Sequence, residues 1–161
     1  MNVFIYTLGC KINEVDSELY AQELRKLGAD VVNTMETADA VIVNSCCVTN
    51  RAQAQSLQFA RRVLRLRPGV PVYLTGCGSA LLALSHHSAP AGVTMISMRD
   101  RAAVARRIAG EEVSGTTDVP WIDERICGAS RRNRVDVRVQ EGCNNMCTYC
   151  IVPFVRGTQL V

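Results

Sequence analysis

Three closely spaced cysteines raise the first chemical question. In the stretch Gly142-Cys143-Asn144-Asn145-Met146-Cys147-Thr148-Tyr149-Cys150 the thiols follow a Cys-x3-Cys-x2-Cys spacing. A zinc site closed by protein takes four ligands in paired spacings, and a disulfide framework wants an even set of partners and an oxidising compartment. Three thiols in one short loop suit neither well, so a structural zinc and unligated thiols stand only as alternatives. Iron–sulfur clusters are held by thiolates, and a cubane that only passes electrons is commonly given four cysteines. Three thiolates on a four-iron cluster leave one iron open to another molecule, and an open iron implies chemistry.

Those thiols must be positioned by strands and helices. Over the first hundred or so residues short β-rich runs alternate with helical patterns, the signature of an α/β fold with a parallel sheet covered by helices. Val3 to Leu8 reads as the first strand. Asn13 is a candidate cap for a helix whose apolar positions Val15, Leu19, Leu24 and Leu27 recur at spacings of three to five, and Gly28 closes it. Val31-Val32 and Val41-Ile42-Val43 are the next strands. A helix from about Asn50 to Arg67 is stopped by Pro68-Gly69, and Val72-Tyr73-Leu74-Thr75 follows as a strand. Thr94-Met95-Ile96 and a helix from Arg101 to Ala109 complete the layer.

Three further cysteines each fall at the carboxyl end of an expected parallel strand: Cys10 after the first, Cys46 after Val41 to Asn44, and Cys77 after Val72 to Thr75. In open α/β sheets these ends form the ligand crevice, so the three would converge on a second site. Gly9, Gly76 and Gly78 flank two of them and remove Cβ bulk where the backbone turns sharply. Buried cysteines in tight βα turns explain the same pattern, and on the residues alone both readings stay open.

Composition frames these sites. Eight cysteines among 161 residues, no apolar stretch long enough to cross a membrane and no signal-peptide start lead to the expectation of a soluble, reducing, cytoplasmic setting. With 48% hydrophobic and 20% charged residues the chain can bury a core, and a net charge of +3 does not by itself argue for nucleic acid.

The motifs decide between the readings. The run Cys143, Cys147, Cys150, with Tyr149 in the aromatic position before the last thiol, resembles the radical S-adenosylmethionine (SAM) superfamily. Thr7-Leu8-Gly9-Cys10-Lys11-Ile12-Asn13, Asn44-Ser45-Cys46-Cys47-Val48-Thr49-Asn50, Thr75-Gly76-Cys77, and after the last thiol Ile151-Val152-Pro153-Phe154 with Arg156-Gly157, are together similar to the radical SAM methylthiotransferases. The resemblance implies two [4Fe–4S] clusters, an auxiliary one on Cys10, Cys46 and Cys77 and a radical-generating one on Cys143, Cys147 and Cys150, with S-adenosyl-L-methionine as cofactor. It implies that one SAM methylates a sulfur at the auxiliary cluster and a second yields the 5′-deoxyadenosyl radical that activates the acceptor carbon. It also implies a tRNA substrate and an external reductant such as a flavodoxin or ferredoxin. No family role falls to Cys47 or Cys127, and Gly78-Ser79-Ala80 departs from the family pattern.

Gly-Cys-Lys-x-Asn is similar to the branch acting at C2 of N6-threonylcarbamoyladenosine 37 of tRNA; the branches acting on isopentenyladenosine or on a ribosomal protein are the alternatives within the family. A non-enzymatic iron–sulfur electron carrier and a zinc-stabilised binding module are the alternatives outside it.

The chain divides into an amino-terminal domain over 1–110, a turn-rich linker over 111–130 in which Trp121 is expected to pack, and 131–161. In the last part the alternation of Val135, Val137 and Val139 predicts a strand from Arg134 to Gln140. That strand resembles the first of the partial (β/α) radical SAM barrel, of which little more fits before Val161. The expectation is an amino-terminal piece of a longer enzyme, unable to turn over alone, of open oligomeric state. Arg61-Arg62-Val63-Leu64-Arg65-Leu66-Arg67 reads as the solvated face of a helix rather than an RNA-binding stripe, and His86 and His87 are assigned no role.

Overall fold

The computed structural model describes residues 1–97, 101–110, 127–129 and 135–158. Five strands, β1 (Asn2–Thr7), β2 (Asp30–Val32), β3 (Ala40–Ser45), β4 (Val72–Gly76) and β5 (Val93–Met95), form one sheet in the order β2-β1-β3-β4-β5. Every pairing in it is parallel, as the alternation of strands and helices predicts. The central strand β3 is buried along its whole length, which is why it reads as an almost continuous apolar run.

Successive side chains of β3 serve opposite faces of the sheet. Ala40 and Ile42 join Val3, Tyr20, Leu24, Val104 and Ile108 beneath α1 (Lys11–Lys26) and α4 (Arg101–Ile108). Val41 and Val43 join Met35, Ala60, Val63, Leu74 and Leu82 beneath α2 (Asn50–Leu66) and α3 (Cys77–Leu84). The start of α2 is fixed by Thr49, whose hydroxyl accepts from the Ala52 N–H at 3.1 Å, and α1 ends where Gly28 takes a left-handed φ of 76°.

Several local expectations need correction. Asn13 does not cap α1: Cys10 occupies that position with an extended backbone, and Asn13 is buried within the first turn. Helix α3 was not foreseen. Arg61, Arg62 and Arg65 are exposed as expected, but Arg67 turns back to donate to the carbonyls of Met35, Glu36 and Ala38.

The expected linker lies outside the described residues except for β6 (Cys127–Ala129), which pairs antiparallel with β7 (Val135–Val137); Trp121 is among those not described. Thus β7 is shorter than the Arg134–Gln140 strand expected, and it has a partner that the linker reading did not foresee. The chain then passes through the Cys143 loop into α5 (Val152–Arg156). Among the described residues no helix is long and apolar enough to cross a membrane.

Candidate functional site

The strand order places the point where successive connections leave in opposite directions between β1 and β3, and a crevice opens beyond the carboxyl ends of such strands. Three residues after β1 the chain reaches Cys10; Cys46 directly follows β3, and Cys77 directly follows β4 as the first residue of α3. Gly9, with φ 119°, lets the first loop press against the second. A Cβ there would lie 2.7 Å from Cys46 Cβ and 2.8 Å from Cys46 Sγ. At the third loop Gly76 takes φ 88°, and a Cβ on it would overlap the Asn44 side chain and the Ser45 backbone.

Asn13 ties the three loops together. Its Nδ2 donates to the Leu8 carbonyl at 2.8 Å and to the Ser45 carbonyl at 3.0 Å, joining the end of β1 to the end of β3. Its Oδ1 lies 3.8 Å from Cys10 Sγ and 4.0 Å from Cys77 Sγ. Cys46 and Cys77 are buried, Cys10 is exposed, and all three are free thiols.

Among the described residues no three His, Cys, Asp or Glu side chains converge on a point that would hold a single metal ion. A cubane presents separate corners to separate thiolates, so an all-sulfur donor set arriving from three strand ends around one asparagine fits such a cluster. The glycine cradles keep Cβ bulk out of the same corner.

A fourth thiol stands beside this set. Cys47 packs with Cys77, Val155 and Ile151. A hydrogen bond from Cys47, opposed by burial and then reinforced by the charge and hydrogen bond of Arg156, holds the Cys77 thiol down at about 6. The same Cys47–Cys77 hydrogen bond, with burial and the neighbouring Cys77 and Cys46 charges, pushes the Cys47 thiol well above the ordinary range, against the pull of Arg156. One thiolate and one thiol therefore share the corner. Arg156 itself remains charged, because Asp16, Cys77 and Glu141 outweigh its burial.

Arg156 belongs to a closed ring of buried charges that joins the two segments of the chain. Its Nη2 donates to Asp16 Oδ2 at 2.8 Å and its Nη1 to Glu141 Oε1 at 3.2 Å, while Arg138 binds the other oxygen of each carboxylate. All four side chains are at most 7% exposed, and Asp16 on α1 is fully buried. The remaining donors of Arg156 point into the cysteine corner: Nε lies 3.1 Å from Cys77 Sγ and Nη2 lies 3.0 Å from Asn13 Oδ1.

Sequence reasoning did not find this ring. No periodicity links positions 16, 138, 141 and 156, so no sequence signal marked it.

The second cysteine set rides on the segment that carries the ring. Cys143, Cys147 and Cys150 lie in a loop closed by the Cys143 N–H donating to the Gly157 carbonyl at 3.1 Å. Gly142 sits at φ 67° with the Gly157 and Thr158 carbonyls in the space a Cβ would need. Cys147 is exposed and the other two are partly so, and Tyr149 is 91% exposed. Helix α5 lays the second segment against Cys77 through Val155 and Arg156.

Comparison with known proteins agrees with the α/β fold. A model of the uncharacterized protein family UPF0004 matches residues 2–96. Relatives include the threonylcarbamoyladenosine tRNA methylthiotransferase MtaB of Bacillus subtilis, 29% identical over 96% of this chain and 36% of its own length. A tRNA-2-methylthio-N(6)-dimethylallyladenosine synthase of Bacteroides thetaiotaomicron is 31% identical over 98% of this chain and 37% of its own length. The ribosomal protein uS12 methylthiotransferase RimO of Syntrophomonas wolfei is 32% identical over 98% and 38%. The chain spans little more than a third of the length of these relatives. With the family match covering more than half of its residues and a five-stranded parallel α/β sheet beneath the cysteine corner, the chain belongs to the UPF0004 family, the amino-terminal domain of the methylthiotransferases.

Proposed function

We propose that this chain is the amino-terminal part of a radical SAM methylthiotransferase that adds a methylthio group to a tRNA adenosine, at C2 of N6-threonylcarbamoyladenosine 37. The observation that carries the reading is that Asn13 faces the Cys10 and Cys77 thiols and holds the Ser45 carbonyl next to Cys46, with Arg156 reaching Cys77 and Asn13 from the segment that holds Cys143, Cys147 and Cys150. In this reading Cys10, Cys46 and Cys77 hold an auxiliary [4Fe–4S] cluster and Cys143, Cys147 and Cys150 a second one that binds SAM. When bound, the clusters and SAM supply one-electron chemistry and a transferable methyl group and sulfur. Residues 1–110 form the auxiliary domain, and residues from 131 onward begin the SAM-binding barrel.

The chain's own residues contribute orientation and charge. Asn13 fixes the spacing of the first two loops, and Gly9 and Gly76 allow the backbone to close on the thiols. The ring of Asp16, Arg138, Glu141 and Arg156 fixes the second segment against the first, and excludes water by burying all four charged groups. Thiolate ligation is favoured at Cys77, whose proton is already weakly held in the folded chain. The Gly-Cys-Lys-x-Asn sequence of residues 9–13 is what favours the threonylcarbamoyladenosine branch, while its Asn13 is used inside the fold. A flavodoxin or ferredoxin as reductant and a cytoplasmic setting belong to the same proposal.

Iron and acid-labile sulfide after anaerobic reconstitution test it. About eight irons per chain, falling to about four in a Cys10→Ala/Cys46→Ala/Cys77→Ala variant, are expected for two cubanes. About four in both would remove the auxiliary site and with it the reading of methylthiotransfer, and bound zinc would favour a structural module. For the branch, nucleosides of tRNA made in a host that lacks the modification and expresses the complete enzyme should regain 2-methylthio-N6-threonylcarbamoyladenosine. Gain of the isopentenyl analogue, or of a modified ribosomal protein, would move the assignment to another branch.

A further inference from the structure

We propose that Arg156 is a positioning residue that couples the two cysteine sites: by donating from Nε to Cys77 Sγ it sets the reduction potential of the auxiliary cluster, and it does so only while the Cys143–Cys150 segment is docked. The inference rests on the reading that Cys10, Cys46 and Cys77 hold that cluster.

The geometry singles out Arg156. The other donors to sulfur are neutral: the Cys47 thiol beside Cys77, and backbone N–H groups at 3.4 Å from Val48 to Cys46 and from Asn145 to Cys143. Cys77 alone among the described cysteines receives a charged side-chain donor, at 3.1 Å. Every nitrogen of that guanidinium is committed: Nε to Cys77, Nη1 to Glu141, and Nη2 to Asp16 and Asn13. The two carboxylates hold the planar fork in one orientation, which a lysine ammonium on a flexible stem cannot reproduce.

A hydrogen bond and a positive charge at a cluster ligand favour the extra electron of the reduced state, and hydrogen bonds to the sulfurs are among the main determinants of such potentials. Arg156 lies six positions after Cys150 and reaches Cys77, 79 positions earlier in the chain. Release of the second segment would therefore withdraw the donor from the first site. The auxiliary potential becomes a sensor of docking.

The test uses the 161-residue chain carrying Cys143→Ala, Cys147→Ala and Cys150→Ala, so that the auxiliary cluster is the only one present. After anaerobic reconstitution its midpoint potential is measured by redox titration followed by electron paramagnetic resonance. Arg156→Gln is expected to keep about four irons and shift the midpoint to more negative values. Arg156→Lys, which keeps the charge without the oriented fork, should shift it less. Asp136→Asn breaks the Lys11–Asp136 ion pair, which also bridges the two segments but touches no cysteine, and should leave the midpoint unchanged.

An unshifted midpoint in Arg156→Gln at full iron content overturns the proposal, because a merely structural ion pair would alter stability and not potential. Should Arg156→Gln fail to hold iron, Arg156→Lys is read instead: it keeps the charge but loses the Nε donor held on Cys77, a smaller negative shift is expected, and an unchanged midpoint overturns the inference. Absence of iron in the parent itself would be a different failure, removing the cluster reading together with the proposal built on it.

Discussion

Replacing Asp16 by asparagine should release the second segment from the sheet domain. The side chain is fully buried and each of its oxygens accepts from a different guanidinium, Oδ1 from Arg138 and Oδ2 from Arg156. An amide of the same shape offers one oxygen where two are used, and turns its N–H groups toward a donor. It also leaves two buried cations facing one buried anion. Removing one member of a buried ion pair costs about 3–5 kcal/mol. At about 1.36 kcal/mol per tenfold, that lowers the docked population roughly a hundred- to several-thousand-fold.

The five-stranded sheet keeps its own two apolar clusters, so the loss falls on docking rather than on the sheet. Amide hydrogen exchange read by mass spectrometry separates the two. Peptides spanning 138–158 should exchange much faster in Asp16→Asn, while those covering β3 and β4 stay as protected as before. Unchanged protection over 138–158 would refute the latch, and equal loss over both regions would show that Asp16 instead supports the sheet.

Gly9→Ala should prevent the cysteine corner from closing, because the residue is held at φ 119° and the new methyl would press on Cys46. Backbone strain of about 1–3 kcal/mol adds to that overlap, so both the urea midpoint and the iron content after reconstitution should fall; full iron content would count against the geometry. In the metal-free reduced chain one thiolate should form near pH 6, since Cys77 is held at about 6 against an ordinary 9.0. Its depressed value stabilises the fold fully above about 9 and less as pH falls through about 6, so stability should rise across that window. Thiolate absorbance checks it, with the low inflection expected to disappear in Cys77→Ala. Cys47→Ala should retain the auxiliary iron and move that inflection upward, because it removes the hydrogen bond that holds Cys77 down; loss of about four irons would make Cys47 a ligand.

The parallel sheet was legible because β3 is buried on both faces and therefore begins as an apolar run, Ala40 to Val43, and because Gly28 and Pro68 mark helix ends by local chemistry. That Cys10, Cys46 and Cys77 each stand just beyond the carboxyl end of a strand was legible from the strand pattern alone. Helix α3 was hidden by its brevity and by Gly78 near its start, a residue that disfavours helix by itself but here avoids Ser45. Asn13 was misread because a local rule about caps says nothing of carbonyls contributed by a strand 32 positions away. The charged ring was illegible for the same reason. Its members are ordinary acidic and basic residues until folding removes the water between them.

Order of assembly follows from that ring. Every strand of the five-stranded sheet is complete by Met95, whereas Arg156 meets Asp16 across a separation of 140 positions. A nascent chain can therefore finish the sheet and present Cys10, Cys46 and Cys77 at an unlatched edge while the residues that will cover them are still being added. Metal delivery to that edge has an open interval during synthesis, and closure of the ring ends it.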